Sequence, residues 1–389
     1  EIGVRLVGSE MCIRDRFIRS NPVNPDSRVE KEIATLAKAG HDVMLFAWDR
    51  TSDHPILHTE ELFGEYKINV YRIGIESVYS AGFKKNLRPL LKFQVAIHNF
   101  IKKHKDNVDV IHACDFDTAF SSFFSKPRKC QFVYDVFDYY VDSFSVPGSL
   151  KSMVEKIDTH IMNKADAVII CTEERVNQLR FSTPKKLIVI HNTPMKLVSI
   201  EYESNNSHEK VKIAYIGILS YGRNILETCL FVSQNVQFEL HIGGFGILEP
   251  EVKKFAEENE NIIFYGKLSY AETLSIENRC DILIAFYDPS VPNHKFAAPN
   301  KFYEALMLGK PLIMAENTGM SEVVKKNDIG SVVPYSSPQK GFMELLERKA
   351  DWKKMGEREK KLYDELYSWN TMSERLVKLY QDLEHSSSR

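Results

Sequence analysis

Pro299-Asn300-Lys301-Phe302-Tyr303-Glu304-Ala305-Leu306-Met307-Leu308-Gly309-Lys310-Pro311-Leu312-Ile313 is the stretch on which the fold turns. Pro299 suits the start of a helix, where a missing N–H costs nothing. Gly309 and Pro311 stop that helix, and Leu312-Ile313-Met314-Ala315 opens a buried strand. A helix N-terminus offers unbonded N–H groups and a positive dipole end, which suit an anionic ligand. Lys301 adds a point charge for phosphate, and Glu304, one turn on, can accept hydrogen bonds from sugar hydroxyls. An ordinary helix–strand unit would read the same, so the flanking sequence has to decide.

Upstream, short apolar runs alternate with helical ones. Val211–Ile216, Gln237–Ile242, Asn261–Tyr265, Asp281–Phe286, Pro311–Ala315 and Gly330–Val333 read as strands. The first half has the same rhythm. A helix over Arg28–Ala39 closes on Gly40, and strands follow over Asp42–Ala47, Val108–Ala113, Gln131–Tyr134, Ala165–Cys171 and Lys186–Ile190. Such alternation predicts two doubly wound parallel sheets. Residues 1–200 form the first expected domain, 201–210 a Ser/Asn/Glu-rich linker and 211–367 the second domain, with 368–385 a final helix.

Composition sets limits. The 389 residues, 43% hydrophobic and 27% charged, suffice for two cores. A formal net charge of −2 gives no global attraction to nucleic acid or to anionic lipid. Six scattered cysteines without a C-x-x-C suggest neither a disulfide framework nor a zinc site, and fit a reducing cytoplasm. Residues 83–105 carry seven Lys/Arg and no acidic residue, with Leu87, Leu90, Leu91, Ile97 and Ile101 at helical spacing. A basic amphipathic segment of this kind can contact an anionic membrane, although a solvated surface helix has the same pattern. Val7–Arg16 resembles a translated sequencing-adapter read, so 1–16 are set aside as foreign and the first strand is expected to be truncated.

Two further turns bear on chemistry. Tyr215-Ile216-Gly217 runs from a strand into a turn followed by Arg223, which can pair bidentately with phosphate. His241-Ile242-Gly243-Gly244-Phe245-Gly246 is a second strand ending in glycines. Together with Ile263–Gly266, the strand through Asp281, Pro299–Pro311 and Thr318–Val324, these resemble, in order and spacing, the retaining glycosyltransferases of family four. In the first half, Arg28–Glu32, Gly40–Val43, Asp109–Asp115 and Val133–Asp138 extend the resemblance, as does Ser368-Trp369 near the end.

That resemblance implies the GT-B fold: two Rossmann-like domains facing across a cleft, with a C-terminal helix returning to the first. It implies a nucleotide-sugar donor held by the second domain through Gly217, Arg223, Gly243, Gly244, Pro299, Asn300, Lys301 and Glu304. Glu304 matches the ribose-contacting glutamate, and Arg223 and Lys301 are the cations for the departing diphosphate. No metal or other cofactor is implied, because fixed cations and a helix N-terminus can stabilise that charge. The acceptor, a saccharide or lipid-linked saccharide, would enter from the first domain. Synthesis of a cell-surface glycan, in the cytoplasm or peripherally on the inner membrane face, is the expected setting.

Three positions depart from the pattern. Phe296 stands where a second glutamate is usual, Cys114 stands where a histidine is usual, and Asn21–Ser27 replaces a glycine-rich turn. With Cys114 in place, a polar role can pass to Asp115, Asp117 or Asp138, and no base is assigned. Asp115-Phe116-Asp117 has the D-x-D form of a divalent-metal site. It arises readily by chance and lies in the half expected to hold the acceptor. His112 reads as structural. The aromatic residues between Phe132 and Phe144 read as packing rather than a sugar platform. A sugar-nucleotide 2-epimerase, or a catalytically silent sugar-nucleotide-binding protein, would also fit these residues.

Overall fold

Continuous apolar runs such as Val168-Ile169-Ile170 and Leu312-Ile313-Met314 can be stable only in strands covered on both faces, and both end up fully buried. A computed structural model describes residues 13–78, 83–143, 146–179, 181–196 and 209–387. They fall into two compact units, one running to Ile190 and resuming at Met372, the other spanning His191–Thr371. Most of the expected linker, and the first twelve residues, lie outside the described residues.

The first unit is built on β1 (Arg14–Arg19), β2 (Asp42–Asp49), β3 (His54–Phe63), β4 (Tyr66–Gly74), β5 (Val110–Cys114), β6 (Gln131–Val136), β7 (Ala167–Ile170) and β8 (Leu187–Val189). Their order in the sheet is β3-β4-β2-β1-β5-β6-β7-β8. Every pairing is parallel except β3 with β4, a hairpin closed at Gly64-Glu65. That hairpin does not show in the sequence pattern, because β3 is an edge strand exposed along most of its length. The final helix, Trp369–Ser387, buries Met372, Leu376, Leu379, Tyr380 and Leu383 in this unit. Gln131 donates to the Leu383 carbonyl at 2.9 Å and Arg375 to that of Val189 at 3.0 Å.

Strand β1 is central yet polar, and residues 14–16, set aside as foreign from the sequence, form its first half and pair with β2 from Asp42 to Met44. Asp15 and Arg16 are fully buried, and Asp15 Oδ1 and Arg16 Nε have no hydrogen-bond partner among the described residues. The other Asp15 oxygen accepts from the Tyr380 hydroxyl.

The second unit contains β9 (Val211–Ile218), β10 (Phe238–Phe245), β11 (Ile262–Phe264), β12 (Ile282–Ala285), β13 (Leu312–Ala315) and β14 (Gly330–Val333). All are parallel, in the order β11-β10-β9-β12-β13-β14. Alternate residues feed two cores: Ile213, Leu240 and Ile284 on one face, Ala214, Leu283 and Met314 on the other. The chain therefore reverses its winding between β9 and β12. In open parallel sheets, ligand crevices form at the carboxyl ends of the strands flanking such a reversal.

Candidate active site at the winding reversal of the second unit

The strands β9 and β10 run on past the turns expected at their glycines and pair closely at their carboxyl ends, Gly217 opposite Gly244. A Cβ on Gly244, at φ +126°, would sit 1.7 Å from the Gly217 carbonyl oxygen, so only glycine allows this approach. Beneath Gly217, Tyr215 donates its hydroxyl hydrogen to the Ile218 carbonyl at 2.8 Å. Burial pushes this phenol up to about 12, although the charges of Arg223 and Lys301 both act to lower it. Tyr215 thus feels both cations singled out from the sequence.

Arg223 follows the β9 turn, just before the helix Ile225–Ser233. Its Nε donates to Ser220 Oγ at 3.2 Å, and its guanidinium stacks 4.5 Å from the centre of the Tyr287 ring. Tyr287 in turn packs edge-on to His294 at 4.9 Å, and His294 Nδ1 lies 3.0 Å from the Asp288 carbonyl. The β9 and β12 loops are joined further by the Asp288 N–H, which donates to the Gly222 carbonyl. No carboxylate pairs with Arg223 among the described residues.

Lys301 and Glu304 sit on the helix Asn300–Leu308, which opens after Pro299 and closes at Gly309 in the left-handed conformation. The first backbone bond of that helix runs from the Phe302 N–H to the Pro299 carbonyl, so the N–H groups of Asn300 and Lys301 come before it. Lys301 Nζ lies 2.6 Å from Glu304 and 3.0 Å from Glu277. Burial works against the Lys301 charge, but the two glutamates outweigh it and hold its pKa above the usual lysine range. Glu277 is raised to about 8, first by its burial and then by the Glu304 charge, with Lys301 opposing. Tyr270, exposed along much of its ring, turns its hydroxyl to the same group, where desolvation followed by the Glu304 and Glu277 charges pushes its ionisation up.

Glu277 and Tyr270 were missed in the sequence. Both lie on the helix Tyr270–Arg279, which starts with a capping box formed by Ser269 and Glu272. Their spacing of seven puts them on one face, where Glu277 falls in phase with buried Leu274. A glutamate in phase with the apolar face was the available signal. Phe296 ends a short 3-10 turn, Pro292–Phe296, against which the β13 loop packs. A Cβ on Gly319 would meet the Ala297 carbonyl oxygen at 2.4 Å.

In the first unit, Asp115 ends β5 with φ +69°. It accepts from the Phe137 and Asp138 N–H groups at 2.9 and 3.2 Å and from Arg19 at 2.5 Å. Burial raises it to about 6 although Arg19 opposes. Asp117 lies 3.9 Å from Arg50, and Asp138 accepts from Arg175 at 2.7 Å. Each aspartate of the D-x-D triplet therefore faces an arginine of its own. His112 is buried mid-strand, stacked 4.1 Å from Phe17 and 3.0 Å from the Tyr380 hydroxyl. Glu32, His112 and Asp135 cluster at a spacing that would suit a metal. However, Arg28 already donates to Asp135 at 2.7 Å and pairs with Glu32 at 3.1 Å. The Cys114 thiol is buried beside them and raised, first by burial.

A doubly wound parallel sheet whose reversal point is lined by an arginine, a lysine and a helix N-terminus defines the class: an α/β protein of GT-B type. Two family models match in succession, Glycosyltransferase Family 4 over residues 28–193 and Glycosyl transferases group 1 over residues 213–348. The chain belongs with these family-four-like glycosyltransferases. No curated protein matches it in sequence. Among solved structures it is similar to sucrose-phosphate synthase from Thermosynechococcus elongatus, with a TM-score of 0.74 and 16% identity, over 96% of this chain and 100% of that one. It is also similar to HepE of Anabaena in complex with UDP and glucose, at 0.66 and 13%, over 95% and 99%. A third match is the starch synthase IV catalytic domain of Arabidopsis thaliana bound to ADP and acarbose, at 0.64 and 13%, over 97% and 100%. At these identities the likeness is one of fold. Among the described residues, no helix is long and apolar enough to cross a membrane.

Proposed function

We propose that this glycosyltransferase takes its sugar from a nucleotide-sugar donor seated at the winding reversal of the second unit. It delivers the sugar, with retention and without a metal, to a saccharide or lipid-linked acceptor in cell-surface glycan synthesis. Arg223 carries the reading: a largely buried guanidinium, fixed by Ser220 and Tyr287, with no carboxylate to neutralise it among the described residues. When the bond from the sugar to the diphosphate breaks, negative charge grows on the departing oxygen. A cation held in place beforehand stabilises that charge without reorganising. The N–H groups of Asn300 and Lys301 are of the type that receives phosphate oxygens, and the close pairing of Gly217 with Gly244 leaves no side chain in the way beside them. Glu304 is the acceptor of ribose hydroxyls. The nucleoside diphosphates in the HepE and starch synthase IV structures favour the same donor class.

Calorimetric titration with UDP, GDP, ADP and their sugar conjugates, with and without EDTA, tests this. One nucleotide family should bind, indifferent to EDTA, and Arg223→Ala and Glu304→Ala should lose that binding while keeping their melting transition. Unchanged binding in both variants would overturn the site. Product formed from donor alone would favour the epimerase, and donor binding without turnover on any acceptor would favour a silent binding protein.

A further inference from the structure

The helices Phe83–Lys103 and Phe116–Ser125 of the first unit pack side by side. Gln94 Nε2 donates to the Asp117 carbonyl, Ser121 Oγ donates to the Gln94 carbonyl at 2.8 Å, and His98 Nδ1 lies 2.9 Å from Ser125 Oγ. Phe93, Ala96, Ile97 and Phe100 fill the core side of the first helix. Its outer side is not polar throughout. Leu87, Leu91 and Val95 recur every four residues and are exposed, Leu91 at 55% and Val95 at 60%. On the neighbouring helix Phe120 and Phe124 are also exposed, the latter at 61%, with ring centroids 5.4 Å apart.

The pair of helices carries Lys and Arg and, apart from the buried Asp117, no acidic side chain. Residues 83–105 and 118–134 contain ten Lys/Arg and no Asp or Glu. At the chain's average density, about five acidic residues would fall in a span of that length. Lys85, Arg88 and Lys92 are exposed on the flank of the Leu91 strip. Arg128 and Lys129, also exposed, follow the second helix, the end where His98 meets Ser125. A chain of net charge −2 has therefore gathered an excess of cations around its exposed leucine and phenylalanine side chains.

We propose that this two-helix face docks the protein on a membrane surface of anionic lipid. The apolar strip enters the boundary between headgroups and acyl chains, and the flanking cations pair with headgroup phosphates. Neither part suffices alone: five apolar side chains without charge do not discriminate between lipids, and cations without apolar contact are released by salt.

The test is co-sedimentation of the full chain with vesicles of phosphatidylglycerol and phosphatidylcholine, against vesicles of phosphatidylcholine alone. Binding to the anionic vesicles is expected in about 0.1 M salt, and at least a tenfold loss in 0.5 M salt or on neutral vesicles. Arg88→Glu with Lys92→Glu should weaken binding at least tenfold, and so, separately, should Leu91→Ser with Val95→Ser and Phe124→Ser. Because all five positions are exposed, both sets should melt with the parent, which separates lost docking from lost folding. Equal binding to neutral and anionic vesicles, or unchanged binding in either variant, would overturn the proposal. So would a concentration-dependent dimer in sedimentation velocity that the serine variant dissolves, since a second copy would then be the occupant.

Discussion

At the carboxyl edge of the first sheet, Arg19 lies 2.9 Å from Asp26 and 2.5 Å from Asp115. Arg28 lies 2.7 Å from Asp135, and Arg175 lies 2.7 Å from Asp138. At the corresponding edge of the second sheet, Arg223 meets a serine hydroxyl and a tyrosine ring. The same architecture has produced a neutralised edge and a cationic one. A neutralised edge offers directed hydrogen bonds and suits a polyhydroxyl ligand, whereas an uncompensated guanidinium suits an anion. Arg223→Ala is the largest test of that contrast. Donor turnover should fall by about 10²-fold or more, the scale of removing one preorganised charge-stabilising donor. A Tm within a few degrees of the parent would show that the cation serves the ligand and not the fold. A mutant with parental kcat would erase the distinction between the edges.

Asp115→Ala probes the other side. It takes from Arg19 one of its two carboxylates, Asp26 remaining, and leaves the part-buried N–H groups of Phe137 and Asp138 without their acceptor, so a destabilisation of about 1–3 kcal/mol is expected, seen as a lowered midpoint in urea. Donor affinity in the folded fraction should be unchanged. Loss of donor affinity at full stability would mean that the first edge, too, handles the donor.

Glu277→Gln sharpens the contrast inside the second unit. The Glu277 carboxyl titrates near 8 in the fold against an ordinary 4.5, chiefly because it is buried. The neutral form is therefore the one the fold favours. Stability owed to it is complete below about pH 4.5, declines as pH rises, and is gone above about pH 8. The glutamine variant should match the parent in Tm near pH 4.5 and melt progressively higher than it up to pH 8, with a constant gap beyond. A gap that does not change with pH would show Glu277 to be ionised throughout.

The strand and helix pattern was legible wherever elements are buried on both sides, since the apolar runs of β5–β7 and β9–β14 leave little choice. The β3–β4 hairpin was not, because an exposed edge strand carries no periodic signal. Of the proposed donor site, Arg223, Lys301 and Glu304 could be picked out because turn glycines and a helix start mark their neighbourhood. Glu277 was passed over: its phase with Leu274 marks it as buried, but its significance lies in the 3.0 Å distance to Lys301, across a gap of 24 residues. In the first unit, the arginines that neutralise Asp115, Asp117 and Asp138 are 96, 67 and 37 positions away. A sequence shows each aspartate, but only the fold shows the partner, and the partner decides what the aspartate can do.

Asp15 is a place where the first unit's habit of pairing fails, and it supplies the smallest expected effect. Burial raises its carboxyl to about 6, while His112, Tyr380 and Arg16 only partly offset that cost. One oxygen accepts from Tyr380, and the other has no hydrogen-bond partner among the described residues. A pKa raised from 3.8 to about 6 means stability is complete below pH 3.8 and is lost as pH rises through 6. The full penalty at neutral pH is about 3 kcal/mol at most. Asp15→Asn keeps an acceptor for Tyr380 and removes the charge, at the cost of a new buried amide. A gain of about 1–2 kcal/mol at pH 7.5, shrinking to nothing or reversing near pH 4, is therefore expected in urea titrations. A loss at pH 7.5 would show that the Asp15 charge is needed by its neighbours, and Asp15 would then belong with the paired carboxylates of the first unit.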